Sequence, residues 1–180
     1  MNKKQVLAIS GSIRKNSSNE LILKAAAKIF SEEIEVNIYN QLDKLPFFNP
    51  DLDNEYADVP ETVINFRKLV DNADGVIICT PEYVFSLPGV LKNALEWTVS
   101  TTVFTFKPFA FIVASASGEK AFESLNLIMD TLLQRPVGEN CKLLIPGGKG
   151  KINSEGKLSD TLVLSGVKNV FASLIKEMED

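Results

Sequence analysis

Apolar positions along the chain fall into two alternating patterns. Short continuous runs stand at Val6–Ile9, Ile34–Tyr39, Gly75–Thr80, Phe109–Ala114 and Leu143–Ile145. Runs this short, rich in β-branched and aromatic residues, have the form of strands. Between them apolar residues recur every three or four positions, the period of one face of a helix. Leu21, Ile22, Ala25, Ala26 and Ile29 make the first stripe, and Val59, Val63, Phe66 and Val70 the second. Val90, Leu91, Ala94 and Leu95 make the third, Phe122, Leu125, Met129 and Leu132 the fourth, and Leu164, Val167, Phe171, Leu174 and Met178 the last.

Strict alternation of strand and helix implies a parallel sheet, because a parallel partner can be reached only by a crossover that lays a helix on a sheet face. The expected fold is α/β, a flavodoxin-like three-layer sandwich. Its five-stranded parallel sheet has the order 2-1-3-4-5 and helices on both faces, and residues 1–180 form one domain. In that order the connections diverge between strands 1 and 3, and ligands bind beyond the strand carboxyl ends. The loops after strands 1, 3 and 4 therefore form the predicted site. The stretch from Gln41 to Pro60 is irregular, and its Leu45, Phe47 and Phe48 either cover the sheet edge, the expected role, or face a partner. Pro146-Gly147-Gly148-Lys149-Gly150 shares only composition with a phosphate loop; lacking the full spacing and a following helix, it reads as a solvent loop.

Composition narrows the chemistry. The chain has 180 residues, 45% hydrophobic and 23% charged, enough for a packed core without disulfides. A formal charge of −4 with no Lys/Arg cluster argues against nucleic acid as a partner. No run is long enough for a membrane span, and the N-terminus has no signal-peptide pattern, so a cytoplasmic location is expected. The chain has no histidine, which removes Ser-His-Asp triads, Cys-His dyads and His-ligated metals. Cys79 and Cys141 sit inside apolar runs and read as buried strand thiols, and no metal site is expected.

The most informative segment follows the first strand. In Ser10-Gly11-Ser12-Ile13-Arg14-Lys15-Asn16-Ser17-Ser18-Asn19, hydroxyls come from Ser10, Ser12, Ser17 and Ser18, a guanidinium from Arg14 and an amide from Asn19. A phosphate monoester needs many donors to replace its hydration, and a guanidinium can meet two of its oxygens at once. The helix beginning near Ser17–Asn19 adds a favourable dipole. Helix capping would account for one or two of these six residues. After strand 3 comes Thr80-Pro81-Glu82-Tyr83-Val84-Phe85-Ser86-Leu87-Pro88-Gly89. Its backbone can pair with the polar edge of a ring, Tyr83 and Phe85 offer flat surface for stacking, and Pro88 suits the first turn of the next helix. After strand 4, Ser115, Ala116, Ser117 and Gly118 let the chain approach a ring closely, and Ser117 is a candidate helix cap.

Together these segments resemble the NADPH-dependent FMN reductase family. The first-loop pattern Gly-Ser-x-Arg-x-x-Ser-x-Asn is present as Gly11, Ser12, Arg14, Ser17 and Asn19. The second, Pro-Glu-Tyr-x-x-Ser-x-Pro-Gly-x-Leu-Lys-Asn-Ala-x-x-Trp, runs from Pro81 to Trp97, and Lys107-Pro108 before strand 4 also fits. The resemblance implies that Ser12, Arg14, Ser17 and Asn19 hold the phosphate of FMN. It implies that Pro81, Glu82, Tyr83 and the backbone of Val84 line the isoalloxazine, with Ser115, Ala116 and Ser117 on its other edge. Relatives of this kind pass a hydride from NADPH or NADH to flavin and reduce quinones, azo compounds, metal oxyanions or free flavin, commonly as homodimers or homotetramers. The flavin carries the chemistry, so no catalytic side chain is assigned. Two positions depart from the family pattern. Val84 stands where asparagine is common, and Glu119-Lys120 replace a Gly-Gly pair, putting side chains where the ring or nicotinamide would pass. A flavodoxin-type electron carrier and an FMN-binding sensor without turnover are the rival readings. The apolar segment Trp97 to Phe106 is either an interface or internal packing.

Overall fold

The computed structural model describes residues 3–54, 58–147, 151 and 158–179. Five parallel strands, β1 (Lys4–Ser10), β2 (Ile34–Tyr39), β3 (Gly75–Thr80), β4 (Phe109–Ser115) and β5 (Lys142–Pro146), form one sheet in the order β2-β1-β3-β4-β5. The helices are α1 (Ser18–Ile29), α2 (Glu61–Asn72), α3 (Gly89–Glu96), α4 (Glu119–Leu133) and α5 (Thr161–Glu177). This is the expected flavodoxin-like sandwich, with each strand matching its sequence run or extending it by up to three residues.

Every residue of β3 is buried, and so is every residue of β4 except Ser115. Successive side chains of a strand point to opposite faces, so such strands require a helical layer on each. On one face α1 packs against α5, and the rings of Phe30 and Phe171 stack at 5.6 Å. Phe122 of α4 meets Phe111 of β4 at 4.9 Å. The edge strand β2 alternates, with Glu35 and Asn37 exposed between the buried Ile34 and the half-buried Val36 and Ile38.

The helical stripes are legible but rotated in places. In α1 the buried face is Ile22, Leu23 and Ala26, continued by Phe30, while Leu21 and Ala25 are half-buried and Ile29 is exposed. The stripe runs one position beyond the predicted one because the contact with α5 centres on Phe30. Val63, Phe66 and Val70 of α2 are buried as expected. In α4 the buried line is Ala121, Leu125, Met129 and Leu133, leaving Leu132 half-buried.

The irregular stretch before α2 divides its apolar residues. Leu45 is buried, Phe48 packs edge-on against Trp97 at 5.1 Å, and Phe47 is exposed. The backbone here is pinned by α3: Asn93 Oδ1 accepts from Phe48 N (2.7 Å), while Asn93 Nδ2 and Trp97 Nε1 donate to Pro46 O at 2.9 and 2.8 Å. Trp97, Thr98 and Phe104 are buried, whereas Val99 and Phe106 are exposed, so the segment Trp97 to Phe106 is partly core and partly surface. Lys107 Nζ donates to the carbonyls of Asp71 and Ala73 (2.9 Å each), satisfying the end of α2. Cys79 lies in β3 as expected. Cys141 instead closes the short 3-10 turn Glu139–Cys141 before β5, and both thiols are buried and free. The glycine-rich segment after β5 is described only as far as Gly147; residues 148–150 lie outside the described residues.

Candidate functional site

At the carboxyl end of the sheet the first loop leaves β1 alongside β3. Gly11 N donates to Cys79 O (2.8 Å), carrying the ladder one residue past β1. A Cβ on Gly11 would lie 2.3 Å from Thr80 Oγ1 and 3.0 Å from Thr80 Cα. Only glycine lets the two strand ends run this close. Ser10 Oγ then donates to Ser12 O (3.1 Å) and Arg14 N to Ser12 Oγ (3.3 Å), folding the loop back over the sheet. Ser17 is the N-cap of α1, its hydroxyl accepting from Glu20 N (3.2 Å). The Glu20 carboxylate accepts from Asn16 N (3.2 Å) and pairs with Lys24 (2.7 Å), so its charge is compensated locally.

The three arginines of the chain are used differently. Arg67 is tied to Asp53 and the Trp97 carbonyl, and Arg135 to Glu177. Among the described residues the Arg14 guanidinium has no carboxylate or hydrogen-bonding partner, and it borders a cavity of about 410 Å³. That volume lies within the roughly 300–1,000 Å³ typical of cofactor sites. Ser12, Ser17, Ser18 and Asn19 share its polar end, and Pro81, Tyr83, Ala114, Ser115, Ala116 and Gly147 form the rest of the wall. Asn19, which lines the cavity, accepts from the buried Cys79 thiol at Oδ1 (3.3 Å), leaving its amide NH₂ available as a donor. Burial raises the Cys79 thiol above its ordinary range, so it acts here as a neutral donor.

The second loop turns sharply. Tyr83 N donates to Ser86 O (3.0 Å) and Ser86 N to Tyr83 O (3.1 Å), closing a two-residue turn. Its central residues, Val84 and Phe85, have φ of +50° and +56°. This is the mirror-image turn usually built from Asn-Gly. A β-branched residue in the left-handed region costs about 1–2 kcal/mol. Val84 and Phe85 are 95% and 78% exposed, so neither recovers that cost by burial.

Glu82 joins this turn to the third loop. Its Oε2 accepts from Lys120 N (2.8 Å) and Ala121 N (3.0 Å), and its Oε1 from Ser117 Oγ (3.1 Å) and Gly118 N (3.3 Å). Ser115 Oγ adds a long bond to Glu82 O (3.4 Å). The bond from Ala121 is the largest influence on the carboxyl, which is held below the usual range. Partial desolvation opposes it, and the Ser117, Gly118 and Lys120 donors act with it. The N-cap of α4 is Gly118, in the left-handed region at φ +93°, and Ser117 does not cap the helix. A carboxylate from another loop takes that place.

Nine of the predicted site residues therefore converge on one cavity: Ser12, Arg14, Ser17, Ser18, Asn19, Pro81, Tyr83, Ser115 and Ala116. Four do not line it. Ser10 turns back to Ser12 O, Glu82 and Ser117 face each other at the start of α4, and Val84 projects into solvent at the tip of the turn. The Glu119-Lys120 pair does not line the cavity either. Lys120 lies back along α4, Nζ 2.7 Å from Glu123 Oε2. Two lining residues escape a motif reading. Ala114 is the last apolar residue of β4 before Ser115, and Gly147, φ +68°, follows β5 and donates its N–H to Ala116 O (3.1 Å).

Comparison with known proteins accords with this geometry. The family model described as NADPH-dependent FMN reductase matches residues 5–148. A quinone reductase of Escherichia coli (strain K12) is 39% identical over 95 residues, covering 53% of this chain and about half, 50%, of that protein's length. The NAD(P)H-dependent FMN reductase PA1204 of Pseudomonas aeruginosa is 30% identical over 161 residues, 87% of this chain and 85% of that protein. Among solved structures, the flavoenzyme NAD(P)H:(acceptor) oxidoreductase FerB from Paracoccus denitrificans shares the fold. Its TM-score is 0.77 at 23% identity, over 98% of this chain and 97% of that one. A model match over residues 5–148, a range that contains the loops that build the cavity, makes this protein a member of the NADPH-dependent FMN reductase family.

Proposed function

We propose that this protein is an NAD(P)H-dependent FMN reductase of the quinone reductase type. A reduced nicotinamide would be oxidised and a small acceptor reduced: a quinone, an azo compound, a metal oxyanion or free flavin. The observation that carries the reading is Arg14, without a partner among the described residues, set with Ser12, Ser17, Ser18 and Asn19 at the N-terminus of α1 and bordering a cavity whose other walls include Pro81, Tyr83, Ala114 and Ala116. The donor end suits a phosphate, which gains from the guanidinium, the hydroxyls and the helix dipole together. The flatter end, formed by a proline, alanines and a half-exposed tyrosine, suits an aromatic ring.

In this assignment Ser12, Arg14, Ser17, Ser18 and Asn19 hold the FMN phosphate, and Pro81, Tyr83, Ser115 and Ala116 border the ring. FMN, when bound, supplies the two-electron redox chemistry that the side chains lack. The protein's part is to bind and orient. The helix N-terminus and Arg14 anchor one end, the Tyr83–Ser86 turn and the Ser115–Gly118 loop set the position of the other, and no side chain is required to move a proton. The open side of the turn, with Val84 and Phe85 exposed, leaves room for a nicotinamide and then an acceptor to approach. A homodimer or homotetramer in the cytoplasm completes the reading. Two free buried cysteines accord with a reducing compartment.

The test is an absorbance spectrum of the purified protein after addition of FMN and desalting, followed by NADPH or NADH with a small quinone present. Retained flavin bands that bleach and recover as the quinone is consumed support the reading. Retained bands that never bleach point instead to an electron carrier or a sensor. Failure to bind FMN at any concentration overturns the assignment.

A further inference from the structure

The resemblance assigns Glu82 to the flavin ring, but its side chain is fully committed elsewhere. Four donors from the third loop and the first turn of α4 converge on its two oxygens, at 2.8 to 3.3 Å. Two of these, Lys120 N and Ala121 N, belong to the N–H groups a helix cannot satisfy internally. A helix N-terminus also favours a negative charge. The cap of α4 is thus supplied by a residue of the loop after β3, immediately before Tyr83. The adjoining turn is the strained one, with Val84 and Phe85 both in the left-handed region and both exposed. Among the described residues two reciprocal bonds close the turn, Tyr83 N to Ser86 O and Ser86 N to Tyr83 O, so the strain must be offset by something fixed outside it.

We propose that Glu82 is a positioning residue. By capping α4 from the neighbouring loop, it fastens the strained Tyr83–Ser86 turn to the Ser115–Gly118 loop, so that both ring-side walls of the cavity are held in register. The mechanical part concerns the chain alone; its consequence for FMN rests on the functional reading above. Glu82 touches no cavity surface itself. It sets where Tyr83 on one side and Ser115 and Ala116 on the other stand relative to each other. A single change at position 82 therefore loosens two walls at once and leaves the Arg14 end intact.

The experiment compares the wild type, Glu82→Gln, Val84→Asn and the double variant. Amide hydrogen exchange is read on FMN-free protein, and the FMN dissociation constant by quenching of flavin fluorescence. Glu82→Gln keeps the size but loses the charge and one acceptor. It is expected to speed exchange at Tyr83 and Ser86 about tenfold, to leave Glu20 and Leu21 of α1 unchanged, and to weaken FMN about tenfold. Val84→Asn relieves the left-handed strain, so in the double variant it should recover most of both losses; a simple capping role would give no such rescue. Should Glu82→Gln fold poorly, Glu82→Asp, which retains charge but shortens the reach, should show the same pattern more weakly. Faster exchange confined to Lys120 and Ala121, with Tyr83, Ser86 and FMN affinity unchanged, overturns the proposal. If the wild type takes no FMN, the functional reading fails and the exchange pattern alone decides whether Glu82 fastens the turn.

Discussion

Arg14→Ala isolates the interaction on which the functional reading depends. The guanidinium has no protein partner among the described residues, so its removal orphans no carboxylate and creates no cavity in the core. The whole effect should appear in ligand binding. A hydrogen bond to a charged group contributes about 1.5–3 kcal/mol. Arg14 stands on an exposed loop, where solvent screening holds the value near the lower limit, about 1.5 kcal/mol. That corresponds to roughly a tenfold rise in the FMN dissociation constant. The hydroxyls of Ser12, Ser17 and Ser18 and the N-terminus of α1 remain, so binding weakens without being abolished. Flavin fluorescence quenching measures it, with riboflavin, which lacks the phosphate, as the control. Riboflavin affinity should be the same in both proteins, and the FMN advantage of the wild type should shrink as salt rises. Unchanged FMN affinity, or an equal loss for FMN and riboflavin, would refute the assignment of Arg14 to the phosphate.

Other consequences follow from the same geometry. Gly11→Ala places a Cβ 2.3 Å from Thr80 Oγ1, so β1 and β3 must part at their carboxyl ends; a loss of about 1–3 kcal/mol in urea unfolding is expected, and an unchanged midpoint would contradict the packing described. Both cysteines should resist thiol reagents in the native protein at pH 8. Cys79 is raised by burial, and Cys141 is pushed up to about 12 by burial first and then by its bond to Glu177; two thiols should react only after denaturation. Glu82 is held below the usual carboxylate range, so its contribution is present above the unfolded-state value near 4.5 and is lost as pH falls through the lower folded value. Lys120, Glu119 and Glu123 also face this corner. The part of any acid-induced rise in Tyr83 and Ser86 exchange that Glu82 causes should vanish in Glu82→Gln, and persistence of the full rise would assign it to those neighbours. Trp97→Phe keeps the ring against Phe48 but loses the donor to Pro46 O, and should cost about 1 kcal/mol in thermal unfolding.

The layered fold was legible because its cause is periodic. A strand buried on both faces must be apolar throughout, as in Gly75–Thr80, and a helix on a sheet must repeat every three or four residues, as in Val63, Phe66 and Val70. Period does not fix rotation to within one residue. The α1 face is set by which neighbour it meets, and the contact of Phe30 with Phe171 carries the buried line past Ile29. The donor-rich end of the cavity was equally visible, because its donors lie in one continuous stretch, Ser12 to Asn19, whose chemistry and position before a helix are both written in order.

The amino-acid sequence by itself thus determined the alternation of elements, the strand order and the cluster of donors at the start of α1, since all three depend on local pattern and short connections. Tertiary structure alone decided which side chains face the cavity and which serve each other. Glu82 and Ala121 are far apart in the chain, and nothing in either segment announces that a carboxylate beside Tyr83 will end on the amides of α4. The left-handed turn at Val84 and Phe85 runs against local preference and exists because its surroundings hold it. Gly147 joins the site because β5 ends beside β4, where its N–H meets the Ala116 carbonyl. Contacts of that kind depend on where the folded sheet delivers its loops, and no period or motif encodes that distance.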